Sequence, residues 1–477
     1  MLRILSVLIA LIFGLSVTAQ INFEDEIKKI LSEPEYKNAT IGIHVLDLKS
    51  GENVYGLNEH QLMIPASTMK LITSATAIEL LGEDYRFKTT VGFMGKIKNS
   101  KLNGDLVIIS GGDPTLGSEY FNDLSFNPHF MDIWAEKIKD FGIQHVDGDL
   151  ILDGSVYADE LIPDSWIWGD IGNYYGADAS AFTIYDNLYN ITFESPKQAG
   201  KETKIVSTAP KIKGLQISNK VISSDSNRDL AYVYGSPYDK NREIRGSIPK
   251  NRKTFKIKGS IPAPEELFAS ELINHLALNG VFIAGKVVYG KVDKKKLITA
   301  YVQESPTLAE ITEVLNHESV NLFAEQLLKQ ISAETHGIGR RDSSISIIQH
   351  FWADKVPDHF FMEDGSGLSH FNAISPSDIT AVLNFMYAQS TKSKTFISSL
   401  PTAGEGTLSG FNKALFPDES LYAKSGSMTR VRCYAGYLKT DNGSNLAFSI
   451  MFNNFDSTQT KLIHEIEGLL FILKKDK

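Results

Sequence analysis

The chain has 477 residues, 42% hydrophobic and 22% charged, ordinary values for a soluble globular protein. At roughly 100–200 residues per domain the length exceeds one compact core and predicts two to four domains. A net charge of −9 excludes a general nucleic-acid binder, which needs a basic face, but leaves room for a local basic pocket.

The first residues carry one basic side chain, Arg3, then an apolar run over 4–17, then Val17-Thr18-Ala19 before Gln20. That composition predicts a secretory signal peptide over 1–19 and an exported, periplasmic protein; the alternative is a short N-terminal membrane anchor. No Cys follows the cleavage position, so lipid anchoring is not indicated. No later run is long and apolar enough to span a bilayer, so no stable membrane span is expected after cleavage.

Residues 40–48 are β-rich, Lys49-Ser50-Gly51-Glu52 is a turn, and 53–55 begins a return strand, which predicts a hairpin. Pro65 and Gly82 frame a helix whose apolar positions Met69, Ile72, Ala75 and Ile78 recur at helical spacing, as in a core helix. From about 87 to 290 short β-rich runs alternate with turns, at 106–109, 148–152, 189–193 and 254–257. One amphipathic helix is expected near 128–141, and residues 240–258 read as a basic, turn-rich stretch. Helices return at 307–316 and 320–332. Strands at 434–439 and 446–452 are joined through Asp441-Asn442-Gly443, a hairpin-turn signal, and 459–474 is an amphipathic helix. The expected architecture is an α/β (α+β) domain made of both chain ends, 20–87 and 290–477, with a large, mostly β insertion over 88–289 that is open to division into two subdomains.

The single cysteine, Cys433, excludes an internal disulfide and any Cys-based metal site. Its apolar neighbours make it a buried strand residue rather than a nucleophile. The eleven histidines show no compact ligand spacing, so neither a metal nor another cofactor is expected.

Chemistry is carried by three short motifs. In Ser67-x-x-Lys70, positions i and i+3 share one helix face, so the Lys amine can reach the Ser hydroxyl and take its proton. Seating Ser67 in the first turn also offers free backbone N–H groups to a developing oxyanion. Ser247-Ile248-Pro249-Lys250 is a rival match, but Gly246 and Pro249 oppose a core helix there. Ser319-Val320-Asn321 needs a helix-entry position, since i and i+2 diverge within a helix; a plain N-cap is the structural alternative. A second Ser-x-Asn, Ser125-Phe126-Asn127, precedes Pro128 and reads as a turn. Lys424-Ser425-Gly426 leads through Ser427 into the Cys433 strand, and a Lys, a hydroxyl and a Gly at a strand edge can bind a carboxylate beside an extended peptide. Lys49-Ser50-Gly51 is its rival, in the hairpin turn.

In this order the three motifs resemble the signature of the penicillin-binding protein and serine β-lactamase superfamily. The chain is similar to the class C low-molecular-mass penicillin-binding proteins, the DacB-type D-Ala-D-Ala carboxypeptidase/endopeptidases, which carry their insertion between the first two motifs. Further matches are Gly111-Gly112-Asp113-Pro114-Thr115-Leu116, Tyr175-Gly176-Ala177 with Ser180-Ala181 and Asn187, residues 319–328, Asp364-Gly365-Ser366-Gly367-Leu368-Ser369, and Gly406-Thr407-Leu408. The resemblance implies that Ser67 forms an acyl-enzyme on the penultimate D-Ala and that Lys70 is the general base. It implies that Ser319, with Lys424 close by, relays a proton to the leaving amine, and that Asn321 bonds the substrate amide. Lys424 and Ser425 would hold the terminal carboxylate, Gly426 completes that motif, and the N–H groups of Ser67 and Ser427 would form the oxyanion hole. The implied partners are peptidoglycan peptides and covalent β-lactam inhibitors.

The physics of the motifs agrees: Lys70 must be neutral to accept a proton, and burial together with a second ammonium, Lys424, is expected to lower its pKa. No dedicated deacylating carboxylate of the class A β-lactamase kind is evident, which favours a peptidase. The chain departs from the family where Arg usually follows Gly-Leu-Ser: here it is His370. Asp170 matches a family aspartate that meets the amino end of the substrate side chain. The alternatives are a β-lactamase or esterase of the same fold, which fold alone does not separate, and a non-catalytic wall-binding protein, against which the presence of both Ser67 and Lys70 counts.

Overall fold

The computed structural model describes residues 22–121, 129–417 and 419–476; the leader over 1–19 and the Ser125-Phe126-Asn127 turn lie outside them. Five strands drawn from the two ends of the chain form one antiparallel sheet, in the order Leu421–Met428, Val431–Lys439, Asn445–Asn453, Thr40–Asp47, Asn53–Leu57. The central pairing sets Ile43 opposite Ile450 in a register that runs unbroken from Thr40 to Asp47. Alternation along the strands gives the sheet two apolar faces. Leu446, Phe448, Ile450 and Phe452 join one cluster with Ile27 and Ile30 of the helix Phe23–Ser32 and with Leu462, Ile466 and Leu470 of the helix Gln459–Asp476. Cys433, Ala435, Ala447 and Met451 join the other, which contains the helices behind the sheet. With both faces covered, these strands carry nearly continuous apolar runs.

At the centre of the second cluster lies the helix Met69–Leu81, in contact with the helices Leu308–Glu318, Asn321–His336, Arg341–Trp352 and Pro376–Ala388. Residues 69 to 78 are all buried, so this stretch of the helix has no solvent face. Its hydroxyls are satisfied locally: Ser74 Oγ donates to the Lys70 carbonyl and Thr76 Oγ1 to the Ile72 carbonyl, both at 2.7 Å. Leu308–Glu318 opens on a capping box between Thr307 and Glu310, and Ser375 caps Pro376–Ala388.

The segment between the first two motifs builds its own sheets. Lys88–Lys98, Lys101–Ile109, His145–Val146, Leu150–Asp153, Phe282–Ile283, Val287–Tyr289 and Ile298–Glu304 make a seven-stranded mixed sheet. It draws its edge strand, Ile298–Glu304, from beyond residue 290 by pairing it with Lys88–Lys98. Two three-stranded sheets complete the region, one around Leu188–Ser195 and one around Asn241–Pro249. The stretch expected to be turn-rich, 240–258, is instead mostly two long strands, Asn241–Pro249 and Arg252–Ser260. Ile244, Ile248 and Ile257 are buried, while Arg245, Lys253 and Lys256 occupy exposed positions; apart from the buried Arg242, the basic residues of these strands stand at exposed or half-buried positions. A second helix, Pro264–Leu278, joins the anticipated one, found at Phe130–Asp140, and the two pack together through Trp134 and Phe268. The rival Ser247-x-x-Lys250 begins on a strand. Lys49 and Ser50 sit in a turn whose backbone N–H groups are held by the Asp47 carboxylate.

Leu470 is fully buried between the C-terminal helix and the sheet. Leu470→Ala is expected to cost about 2–5 kcal/mol of folding free energy, transfer and cavity terms together. The loss would appear as a lowered urea midpoint; a loss below about 0.5 kcal/mol would show that this helix does not anchor the sheet.

Candidate active site

Ser67 lies in a 3-10 turn, Ala66–Thr68, that runs directly into Met69–Leu81. The turn is tight: Ala66 has φ +46°, a left-handed conformation that non-glycine residues seldom adopt and that needs external support. Two glycines allow that support to come close. Gly367 has φ +81°, and a Cβ there would fall 1.9 Å from the Ala66 carbonyl oxygen. A Cβ on Gly426 would fall 2.6 Å from the Pro65 carbonyl oxygen and 2.9 Å from the Ser67 nitrogen. The strand Leu421–Met428 is therefore pressed against the turn that bears Ser67, and it is the edge strand of its sheet.

Ser67 is partly exposed, whereas Lys70, one turn on, is buried. Lys70 Nζ lies 3.0 Å from Ser67 Oγ, 2.6 Å from Asn321 Oδ1 and 2.7 Å from the Ser366 carbonyl oxygen. None of these three partners is charged. Burial pushes the Lys70 amine down to about 7, against the upward pull of Asp364 and then Glu325. Lys424 is also buried, 2.9 Å from Ser319 Oγ and 2.8 Å from the Ser425 carbonyl oxygen. Its pKa is held well below the ordinary lysine value, first by burial, then by the neighbouring Lys70 and Arg432. The repulsion expected to act on Lys70 is thus expressed at Lys424, and burial accounts for the lowering at Lys70.

Ser319 takes the left-handed conformation, φ 58°, at the C-cap of Leu308–Glu318, and Asn321 is the first residue of the next helix. This break between two helices lets both side chains of Ser-x-Asn face the site, Ser319 toward Lys424 and Asn321 toward Lys70. Asn321 Nδ2 donates to the Tyr175 carbonyl at 2.8 Å, tying the inserted region to the pocket. Asp170 is hydrogen-bonded to Tyr175; burial raises its pKa, while Tyr175 and His370 pull it down. Ser427 is exposed on the edge strand and Ser425 is nearly covered.

Beneath these residues lies a layer that the motifs did not announce. The Asp364 carboxylate accepts from Gly367 N, Ser369 N, Asn372 Nδ2 and Trp166 Nε1, folding the Asp-Gly-Ser-Gly loop around itself. Glu325 Oε1 accepts from Ser366 N at 2.8 Å, so Ser366 links Glu325 on its N–H side to Lys70 on its carbonyl side. Burial raises the Glu325 pKa to about 7, and Arg341 Nε stands 3.8 Å from its other oxygen. The available signal was spacing: Glu325 follows Asn321 by one helical turn, on the same face. Cys433 is buried and its thiol is pushed up to about 12, which removes it as a nucleophile. Among the described residues, no group of three or more His, Cys, Asp or Glu side chains is arranged to hold a metal ion.

A sheet covered by terminal helices on one face and by a serine-bearing helical bundle on the other, with a large insertion, is the penicillin-binding enzyme fold. Over residues 23–469 the chain matches the D-Ala-D-Ala carboxypeptidase 3 (S13) family, and it belongs to that family of serine-type peptidases. It is 28% identical over 446 residues to a D-alanyl-D-alanine carboxypeptidase of Actinomadura sp. (strain R39), covering 90% of this chain and 80% of that one. It is 26% identical over 468 residues to the D-alanyl-D-alanine carboxypeptidase DacB of Haemophilus influenzae, covering 95% and 92%. The crystal structure of penicillin binding protein 4 (dacB) from Haemophilus influenzae superimposes with a TM-score of 0.80 at 22% identity, over 95% of this chain and 100% of that one.

Glu325→Gln keeps an acceptor for the Ser366 N–H but removes a negative charge that pulls Lys70 upward. The acidic limb of the Ser67 acylation rate is expected to move to lower pH, because Lys70 then stays neutral further into acid. Because Glu325, itself raised to about 7, is mostly protonated by pH ~6, the gain is expected around and just above pH ~7, at less than about twofold, and to fade toward pH ~6. Stopped-flow acylation by a chromogenic β-lactam across pH checks this, and a limb that stays put or moves upward would show that Glu325 does not act on the Lys70 charge.

Proposed function

We propose that the protein hydrolyses the D-Ala-D-Ala bond of peptidoglycan peptides through an acyl-enzyme on Ser67, and cleaves D,D-cross-links with the same residues. The observation that carries this reading is Lys70 Nζ at 3.0 Å from Ser67 Oγ, buried, with its pKa lowered to about 7. A lysine so tuned is neutral often enough at neutral pH to accept a proton.

Ser67 Oγ attacks the carbonyl carbon of the penultimate D-Ala while its proton passes to Lys70 Nζ. The N–H groups of Ser67 and Ser427 stabilise the oxyanion. The tetrahedral intermediate collapses by breaking the C–N bond; Ser319, whose hydroxyl is held by Lys424, passes its proton to the departing D-Ala amine and recovers one from Lys70, which is left neutral again. Water then attacks the ester, Lys70 again takes a proton, and Ser67 Oγ leaves with one restored. Asn321 donates to the substrate amide carbonyl. Lys424 and Ser425 hold the terminal carboxylate, and arrival of that carboxylate raises the Lys424 pKa. The charge thereby installed on Lys424 favours the neutral form of Lys70. A β-lactam ring, whose amide carbonyl is attacked in the same way, would leave a long-lived ester on Ser67. The protein is exported on this reading, to the periplasm where such peptides lie, and the composition of residues 1–19 supports it.

Incubation with a fluorescent penicillin is expected to give a one-to-one adduct by intact mass that maps to Ser67 and vanishes in Ser67→Ala. No adduct on folded protein would favour a non-catalytic wall-binding protein. Rapid drug turnover without accumulation would favour a β-lactamase.

Asp170 and His370 are the proposed readers of the substrate's third-residue side chain. An imidazole in place of the family's usual guanidinium gives up a permanent charge and a bidentate fork. His370→Arg is expected to raise kcat/KM about tenfold for peptides bearing a side-chain carboxylate next to the amine, relative to peptides lacking it. An unchanged ratio in paired kinetic assays would remove His370 from substrate selection.

A further inference from the structure

Both helices that carry the site also lead away from it to a second cavity. Ser67 opens Met69–Leu81, and Tyr85 and Arg86 lie just beyond its end; Asn321 opens the helix Asn321–His336, and Gln330 and Glu334 lie toward its far end. These residues line a cavity of about 510 Å³ together with Lys88, Lys291 and Lys294. At 1.5 Å per residue, a helix of this length sets the cavity ~20 Å from the nucleophile.

The charge of the cavity is one-sided. Four lining side chains are cationic, Arg86, Lys88, Lys291 and Lys294, against one carboxylate, Glu334. Glu334 is already engaged by the Tyr85 hydroxyl at 2.7 Å and by Gln330 Nε2 at 3.0 Å. Lys88 has Glu304 at 3.2 Å, and Arg86 donates to the Ser305 carbonyl at 2.6 Å. Lys291 and Lys294 are exposed and have no ion-pair partner among the described residues. Lys295 and Lys296 follow Lys294 on the same short turn. In a chain of net charge −9, a concave site lined this way repels itself when empty and attracts oxyanions.

We propose that this basic cavity is an exosite that holds the carboxylates of a second stem peptide of the peptidoglycan polymer while Ser67 acts on the first. The proposal rests on the function given above. A D-Ala-D-Ala terminus is too short to reach both places, so the exosite serves the polymer and not the scissile dipeptide. It confers preference for insoluble, multiply substituted substrate over free peptide, and its grip weakens with salt.

The double variant Lys291→Glu/Lys294→Glu tests it, since both side chains are exposed and neither belongs to the catalytic centre. Peptidoglycan freed of attached phosphate polymers is the probe, with binding read by co-sedimentation at low and high salt. Penicillin acylation and turnover of a short soluble D-Ala-D-Ala peptide are measured in parallel. The expected result is unchanged acylation and short-peptide turnover, with binding to the polymer reduced about tenfold and its salt dependence flattened. Unchanged polymer binding would overturn the exosite, as would an equal loss on the short peptide. Wild-type binding only to peptidoglycan that retains its phosphate polymers would overturn it in favour of a phosphate ligand. Failure of the proposed function reads out separately, as wild-type protein that neither acylates nor turns over the short peptide, while sedimentation still decides the exosite.

Discussion

Lys70 sits in a pocket with three neutral hydrogen-bond partners and no water-facing surface. An ammonium there would donate three times and leave its charge unmatched in a low-dielectric site. A neutral amine fits better: it donates to Asn321 Oδ1 and to the Ser366 carbonyl, and its lone pair accepts from the Ser67 hydroxyl. The hydrogen-bond pattern that suits the neutral form is thus also the one that draws on the serine's proton. The bundle around Met69–Leu81 serves this arrangement by keeping water away from the turns that follow Ser67.

The groups that surround Lys70 come from different parts of the chain, and each is held by its own device. Asn321 is delivered by the helix break at Ser319 and steadied by Tyr175 of the inserted region. The Ser366 carbonyl is aimed by a loop wound about Asp364 and pinned from behind by Glu325. Lys424 arrives on the edge strand, whose Gly426 lets it approach the Ser67 turn. Arg341, Glu325 and Asp364 form a buried layer in which opposite charges offset one another. That layer keeps acidic groups near Lys70 without giving it a direct ion pair, and so tempers the fall of its pKa without reversing it.

The sequence was most legible where chemistry is local. Ser67 and Lys70 are three residues apart on one helix, so their contact follows from helical geometry. The hairpin 40–57, the core helix and the final strands and helix followed from periodicity and turn residues. Glu325, Ser366 and Tyr175 all lie in stretches that match the family, but their contacts with the site were not legible, because Ser366 and Tyr175 act through backbone groups and Glu325 acts on a distant loop. The strands at 241–249 and 252–260 were obscured by their charged outer positions. The helix Pro264–Leu278 was missed within a region dominated by β signals, although Pro264 and the acidic Glu265 and Glu266 mark its start. The direction of the lysine–lysine repulsion was not legible at all, since it depends on which amine is the more enclosed.

The pairing of Thr40–Asp47 with Asn445–Asn453 has a temporal meaning. One strand is made long before the other, and the middle of the sheet cannot close until the long segment between them has been made. Lys424 reaches the Ser67 turn only as part of that closing sheet. A chain made only through its first half therefore holds a serine and a lysine but no finished pocket, and the power to cut peptides arises late, once that sheet has closed.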